Sequence, residues 1–291
     1  MRNYKQYDEK VLRKLQLAQL EILKDFIRIC DKYDLTYFMY AGSAIGVVRH
    51  NGFIPWDDDV DVAMSRSDYD KFMEVYENEV GSKYRILTPY VDSNYTASVT
   101  HFQKNGTRFI SEVSKDLKTE MTIDIDIFPF DYAPNDEKQY KRQVRQTRFL
   151  YRLLFLVGHS KPIIPMKGWK KYIAQSVCFI THYILKLFRV SGTKIYDKAD
   201  KISRKYNDIA HSKRLVCYQS AIPDKSYLLE DEFFPVKQLA FEDTVVSMPN
   251  AYDVQLKRMY GDYMKLPEEK DRINHAPNLI DFGDGDIVII D

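Results

Sequence analysis

Acidic residues are concentrated in one short stretch of this 291-residue chain. Four carboxylates fall within five positions, at Asp57, Asp58, Asp59 and Asp61. Like charges this close repel one another strongly unless a cation lies among them. Side chains two positions apart share a face of an extended strand, so Asp59 and Asp61 are predicted to point the same way. Two hard oxygen ligands at this spacing suit Mg²⁺ or Mn²⁺ bridged to substrate phosphates.

A Gly42-Ser43 pair lies upstream of the acids and is predicted to form a turn, followed by an apolar helical stretch over residues 44–48. Backbone N–H groups at the start of a helix bind phosphate. Between this helix and the acids, Arg49 and His50 can offer positive charge to phosphate oxygens. The turn, the basic pair and the acids together predict a phosphoryl-transfer site.

A second acidic pair, Asp124 and Asp126, alternates with isoleucines and is predicted to lie on one face of a strand. Two-metal phosphoryl transfer needs a ligand from a separate strand, and this pair supplies one. The alternative interpretation is two exposed acids on an edge strand. Lys104, beside an Asn-Gly pair predicted to turn a hairpin towards Arg108, is a further candidate for phosphate contact.

The overall composition argues against a nucleic-acid-binding protein. The chain carries 43 basic and 42 acidic residues, for a formal net charge of +1, which provides no global attraction to a polyanion. Cys30, Cys178 and Cys217 are widely separated and form neither a disulfide framework nor a zinc-binding spacing. The polar N-terminus lacks the apolar stretch of a secretory signal. These features predict a cytoplasmic protein.

Helical and strand patterns are mixed throughout the first half of the chain. Residues 9–31 have the periodicity of an amphipathic helix, and residues 35–40, 58–64 and 121–128 have strand composition. Ser65 or Ser67 is predicted to cap a helix that continues to about residue 80. The pattern predicts an α/β (α+β) fold, a mixed sheet flanked by helices.

Composition divides the chain into three parts, with a core over 1–135, a helical, aromatic and basic insertion over 136–215, and an α/β part over 216–291 that completes the core. Residues 149–190 lack the roughly 18 uninterrupted apolar residues that a membrane span requires. The apolar side of the helix predicted over 172–187 has two interpretations. It packs on the sheet, or it lies on a membrane surface.

These motifs together resemble the LicD family of phosphocholine transferases. The resemblance rests on Gly42-Ser43, on residues 49–61 (RHNGFIPWDDDVD) and on residues 126–131, 260–267 and 272–275. It implies a nucleotidyltransferase-like core, with the metal and phosphate site formed by the Gly-Ser segment and the Asp-x-Asp strand.

The resemblance also implies roles for individual residues. Asp59 and Asp61 would be paired metal ligands and Asp126 the third, whereas Asp124 is an additional acid that leaves open which member of its pair binds the metal. One of the two would accept the proton of the attacking hydroxyl. From the residue pattern and the resemblance together, the candidate substrate- and phosphate-binding residues are Gly42, Ser43, Arg49, His50, Lys104 and His275.

Members of this family transfer phosphocholine from CDP-choline to a sugar hydroxyl of a cell-surface glycan. The resemblance therefore implies an Mg²⁺- or Mn²⁺-dependent transferase acting on a teichoic acid or lipooligosaccharide precursor, at the inner face of the cell membrane. Three alternatives stay open. They are transfer of another alcohol phosphate such as ribitol phosphate, transfer of a nucleoside monophosphate from a nucleoside triphosphate, and nucleotide binding without catalysis.

Overall fold

A mixed β-sheet with helices packed against it forms the centre of the molecule, and the fold class predicted from the sequence is confirmed. The computed structural model describes residues 6–115, 117–162, 164, 168–208, 212–272 and 274–290. Within them the α-helices are α1 (Glu9–Lys32), α2 (Ala41–His50), α3 (Arg66–Val80), α4 (Glu137–Gly158), α5 (Trp169–Leu187), α6 (Gly192–Ser203), α7 (Pro223–Ser226), α8 (Glu230–Phe233) and α9 (Tyr252–Tyr260).

The strands fall into one large sheet and two small ones. Their bounds are β1 (Tyr37–Met39), β2 (Asp61–Ser65), β3 (Tyr84–Leu87), β4 (Thr100–Lys104), β5 (Arg108–Ile110), β6 (Asp124–Ala133), β7 (Arg214–Val216), β8 (Leu228–Leu229), β9 (Lys237–Phe241), β10 (Thr244–Met248), β11 (Leu279–Asp281) and β12 (Ile287–Ile289). The large sheet has the order β1-β2-β6-β4-β3, and β7 pairs with the far end of β6 and with β8. β2 runs parallel to β6, whereas the other pairs are antiparallel.

Helix α1 covers one face of the sheet and begins where a side chain satisfies its first N–H groups. The Asp8 carboxylate accepts hydrogen bonds from the N–H groups of Lys10 and Val11. Its buried stripe, which includes Leu23 and Phe26, packs in the same core as residues of the sheet. The predicted helix over residues 9–31 is confirmed. Ser65 caps α3, as the sequence predicts.

The last third of the chain packs into this core as well. β9 and β10 pair as an antiparallel hairpin, and Phe241, Val246 and Leu256 lie in the same hydrophobic cluster as α1. β7 adds to the end of β6 after the helical segment between them. Residues distant in sequence therefore stabilise the strands that carry the acids.

A buried ion-pair network attaches the helical segment α4–α6 to the sheet. The Arg66 guanidinium of α3 lies 2.6 Å from an Asp131 carboxylate oxygen of β6 and 3.2 Å from one of Asp200 in α6. The side chains of all three residues are at most 8% exposed. Arg66 donates two hydrogen bonds to Asp131, and Asn207 donates a third at 2.7 Å. Charges buried this deeply are stable only as a paired set.

The sequence-based boundaries are wrong around the first acids. The helix predicted to follow a Gly42-Ser43 turn begins at Ala41, so both residues lie inside its first turn. β2 begins at Asp61, so Asp59 precedes the strand on which it was predicted. Side chains of α1 hold the chain there, because Gln19 donates to the Asp58 carbonyl oxygen at 2.9 Å.

The predicted hairpin between Lys104 and Arg108 is also wrong. β4 pairs with β3 and β6, whereas β5 pairs with β11 near the C-terminal end of the chain. The Asn-Gly turn therefore redirects the chain from one sheet to another. Local turn chemistry indicates where a strand ends, but it does not specify the next pairing partner.

Candidate active site

Three neighbouring strands align acidic and imidazole side chains in one row. Asp61 of β2 lies beside Asp126 of β6, and Asp126 lies opposite His101 of β4. Directly paired residues of adjacent strands project from the same face of a sheet, and Asp124, two positions before Asp126, shares that face. The His101 Nδ1 atom is 2.6 Å from an Asp126 oxygen and 3.4 Å from an Asp124 oxygen.

The loop before β2 brings Asp59 to the same site because its neighbour Asp58 is fixed from two sides. One Asp58 oxygen accepts hydrogen bonds from the Tyr7 hydroxyl at 3.0 Å and from the His275 N–H at 2.9 Å. Asp58 is only 5% exposed. Asp59 then lines a cavity of about 190 Å³ together with the acids of β6.

His101 and His275 line the same cavity. The His275 imidazole lies 3.4 Å, measured from Nδ1, from the other Asp58 oxygen, and this side-chain contact raises the pKa of the imidazole. The structure therefore brings together the candidates Asp59, Asp124, Asp126 and His275, and Asp61 lies in register beside Asp126.

The start of α2 lies against these acids. The Ser43 hydroxyl oxygen accepts a hydrogen bond from the Asp61 N–H at 2.9 Å, which joins the helix to the start of β2. A Cβ atom at Gly42 would lie 3.1 Å from an Asp57 carboxylate oxygen, a tight contact that would force the carboxylate to move. The N-cap residue Tyr40 makes no side-chain capping hydrogen bond. This helix start can therefore offer N–H groups to a phosphate close to the acids.

Burial and mutual repulsion dominate the electrostatics of the site. Burial, followed by the neighbouring acids, raises the pKa of Asp57 and of Asp61 well above the usual range for Asp. The same causes raise the pKa of Asp59 to about 6. Positive charge is therefore needed to ionise these acids together.

The acids of β6 and His101 influence one another. Burial raises the pKa of Asp124 to about 7 despite the nearby imidazole. Burial alone would lower the pKa of His101, but the negative charges of Asp126 and Asp124 raise it to about 9.

The donor set fits a divalent cation. One ligand atom from each of His101, Asp124 and Asp126 can lie within 4.8 Å of the others. Carboxylate oxygens are the ligands that Mg²⁺ and Mn²⁺ prefer, and imidazole is an acceptable partner for transition metals. The clustered acids provide the negative charge that such an ion would neutralise.

Arg49 and His50 lie at the C-terminal end of α2. The Arg49 guanidinium donates hydrogen bonds to the Tyr263 carbonyl oxygen at 2.6 Å and to His50 Nε2 at 2.9 Å. Burial lowers the pKa of Arg49, although the charge of Asp57 opposes that shift. Burial and the charge of Arg49 lower the pKa of His50. Arg49 is therefore within electrostatic reach of the site, and His50 orients it.

Lys104 is not brought to the acidic row. It lies an odd number of positions from His101 on β4, so the two side chains project from opposite faces of the sheet. Its ammonium group lies 2.7 Å from a Glu21 oxygen of α1.

Sequence reasoning missed two residues that the structure places at the acids. His101 lies on β4, and nothing in the sequence near it indicates that β4 pairs with β6. Tyr260 is the second, because burial and then Asp61, Asp59 and Asp57 raise its pKa. Its position in the 260–267 motif was the available signal.

We expect Mn²⁺ or Mg²⁺ to raise the melting temperature of the protein, and to do so more at about pH 8 than at about pH 6. The pKa values of Asp59 and Asp124 are about 6 and about 7, so these carboxyl groups are partly protonated at about pH 6. Metal binding must then release those protons, which weakens it at the lower pH. Their folded pKa values exceed the unfolded values, so the stability of the metal-free protein falls as the pH rises through these values. Thermal melts with metal and with EDTA measure both effects.

The control for this experiment is Asp243→Asn, which removes an exposed carboxylate paired with Lys24. This variant should retain the metal-dependent shift, whereas Asp61→Asn and Asp126→Asn should lose it. Equal melting temperatures with metal and EDTA at both pH values would contradict a metal site.

Comparison with known proteins identifies the family. Residues 34–155 match the family model described as LicD/FKTN/FKRP, nucleotidyltransferase domain. The lipopolysaccharide cholinephosphotransferase LicD of Haemophilus influenzae is 30% identical over 267 residues, which cover 91% of this chain and 95% of that protein. An uncharacterized protein of Rickettsia typhi is 30% identical over 77 residues, 26% of this chain and 25% of its own length. One of Rickettsia prowazekii is 32% identical over 89 residues, 31% of this chain and 29% of its own. The chain belongs to the LicD family.

Proposed function

We propose that this protein transfers phosphocholine from CDP-choline to a sugar hydroxyl of a cell-surface glycan precursor, of the lipooligosaccharide or teichoic acid type. The observation that carries the proposal is the alignment of Asp61, Asp126 and His101 across three strands beside the start of α2. The similarity to the Haemophilus cholinephosphotransferase over 91% of this chain supports the choice of phosphocholine.

The reaction is an in-line displacement at the phosphorus that carries choline. The sugar oxygen forms a new bond to this phosphorus, and the bond to the bridging oxygen breaks, so that CMP leaves with the electron pair. Asp59, Asp61 and Asp126 would hold Mg²⁺ or Mn²⁺, and the bound ion would neutralise the charge of the diphosphate. The N–H groups at Gly42 and Ser43 bind phosphate oxygens, and Arg49 adds positive charge near Asp57.

Asp124 is our candidate for the group that accepts the proton of the attacking hydroxyl. Its pKa is raised to about 7, close to the value that suits a general base at neutral pH. Asp126, its partner on β6, is engaged by His101 at 2.6 Å and lies beside Asp61. Of the possible ligand set His101, Asp124 and Asp126, this division of roles assigns Asp126 to the metal and Asp124, next to the metal, to the proton.

Choline carries a quaternary ammonium group, which aromatic faces bind through cation–π attraction. Tyr260 is our candidate for this contact, because it lies close to the acids and is 45% exposed at the surface. The neighbouring negative charges also favour a cation at this position.

We expect the purified protein to release CMP from CDP-choline when Mn²⁺ and a glycan acceptor lacking phosphocholine are both present. Chromatographic measurement of CMP and mass measurement of the acceptor together follow both products. Thermal shifts against CDP-choline, CDP-ribitol and CTP distinguish the donors, since the donor that binds best gives the largest stabilisation.

The outcome assigns the reaction. CMP release from CDP-ribitol, with none from CDP-choline, would replace phosphocholine by another alcohol phosphate. Pyrophosphate release from CTP would make the protein a nucleotidyltransferase. Nucleotide binding without turnover of any of the three donors would indicate that the protein binds nucleotide and is not a catalyst.

A further inference from the structure

Helix α5 (Trp169–Leu187) presents apolar side chains to the outside of the molecule. Of its 19 residues only Leu185 is buried. Six large apolar residues recur at helical spacing along its outer side and are between 49% and 76% exposed. They are Trp169, Ile173, Val177, Ile180, Ile184 and Leu187. We call this set the α5 stripe. A continuous exposed apolar stripe of this length indicates a contact surface.

The opposite side of α5 contacts helix α4. The His182 ring nitrogen Nδ1 lies 2.8 Å from the Leu156 carbonyl oxygen of α4, and Leu185 is buried. The helix is therefore oriented by contacts at its C-terminal half, with the α5 stripe facing outwards. In the part of the chain that the structure describes, no helix combines the length and the apolar character that crossing a membrane requires.

Charge is strongly segregated around this helix. Residues 138–196 contain 13 of the chain's 43 lysines and arginines and none of its 42 acids. The rest of the chain is left with 30 basic and 42 acidic residues. The near-neutral total therefore combines a cationic segment over residues 138–196 with an acidic remainder. The exposed basic residues Lys170 and Lys186 lie near the two ends of the α5 stripe.

An apolar stripe bordered by basic side chains suits an anionic lipid surface. The apolar residues enter the headgroup region while lysines remain at the level of the lipid phosphates. Trp169, Tyr172 and Tyr183 are the aromatic types that favour this interface. A second copy of this chain fits less well, because two cationic insertions would face each other and repel.

We propose that the α5 stripe docks this protein on the surface of an anionic lipid bilayer, with α5 lying in the headgroup plane. The active site is carried by the sheet and by α2, so docking through the insertion leaves the row of acids outside the contact. This inference goes beyond the transfer reaction, because binding to lipid alone requires neither a donor nor an acceptor.

The test uses the full chain and vesicles with no other ligand. In a flotation assay at low salt, we expect the protein to bind vesicles that contain phosphatidylglycerol and to bind pure phosphatidylcholine vesicles weakly. Binding to the anionic vesicles should decrease as the salt concentration is raised. The double variant Ile173→Glu/Ile180→Glu should lower binding to the anionic vesicles by about tenfold or more, because two charges would enter an apolar contact.

The matched control is Val245→Glu/Val254→Glu, at two positions that are 53% and 46% exposed outside the insertion. It should bind as the unchanged chain does. Lys170→Gln/Lys171→Gln should weaken binding to the anionic vesicles without changing the melting temperature. All substituted positions are on the surface, so unchanged circular dichroism and melting would establish that each variant is folded.

Three results would overturn the proposal. The first is full vesicle binding by Ile173→Glu/Ile180→Glu, and the second is equal binding of the unchanged chain to neutral and anionic vesicles. The third is an unchanged chain that does not bind vesicles but sediments as a dimer, together with a variant Ile173→Glu/Ile180→Glu that sediments as a monomer. CMP release towards a soluble acceptor should be the same in the variant. A failure of lipid binding is thereby distinguished from a failure of the proposed reaction.

Discussion

Replacing Asp61 by Asn is expected to lower the rate of phosphocholine transfer by about a hundredfold to a thousandfold or more while the protein stays folded. The substitution keeps the shape of the side chain and the hydrogen bond from the backbone N–H to Ser43 Oγ. It removes one negative charge from the row shared with Asp126. Initial rates of CMP release with saturating Mn²⁺ measure the loss.

The same substitution makes an opposite prediction for stability. Burial and the neighbouring acids raise the pKa of Asp61, so its ionised form is unfavourable when no metal is bound. We therefore expect Asp61→Asn to melt at the same or a higher temperature than the unchanged protein in EDTA. Asp243→Asn is the control and should keep both its rate and its metal response. An Asp61→Asn rate within tenfold of the original would remove Asp61 from the metal site.

Replacing Arg66 by Ala is expected to cost about 3–5 kcal/mol in the free energy of unfolding. The substitution leaves Asp131 and Asp200 without their buried positive partner, and their side chains are 1% and 8% exposed. Because Asp200 belongs to α6, we also expect the helical segment α4–α6 to be attached less firmly to the sheet. Urea unfolding followed by circular dichroism measures the cost.

An exposed ion pair of α6 provides the comparison. Lys201 and Asp197 are 2.7 Å apart, with side chains 74% and 40% exposed, and Lys201→Ala should cost no more than about 1 kcal/mol. The double variant Arg66→Met/Asp131→Leu removes opposite charges together and should recover part of the loss. Similar costs for Arg66→Ala and Lys201→Ala would contradict a buried network.

Features specified by neighbouring residues were predictable. The amphipathic pattern of α1 and the Ser65 cap of α3 are encoded within a few positions, and both are confirmed. The Asp-x-Asp pair indicated phosphoryl transfer because like charges are rarely clustered without a compensating cation. In contrast, the bounds of β2 depend on α1 side chains that contact the acidic loop from elsewhere in the chain.

Features specified by strand pairing were not predictable from one sequence. His101 reaches Asp126 only because β4 is the neighbour of β6, and no residue near His101 indicates that neighbour. Lys104 was assigned to phosphate from an Asn-Gly turn, but its face of β4 is the one that packs towards α1. For α5 the periodicity identified an apolar side correctly, yet periodicity carries no information on what that side contacts.

The two partners of Asp58 have a consequence for biosynthesis. Tyr7 and His275 come from opposite ends of the chain, and both hydrogen-bond the same carboxylate oxygen. When only the first half of the chain has been synthesised, Asp58, next to Asp59, can form the hydrogen bond with Tyr7 but not the one with His275. Premature termination or proteolytic cleavage before His275 therefore yields fragments that contain the acids of the site but lack one of the two contacts that hold Asp58.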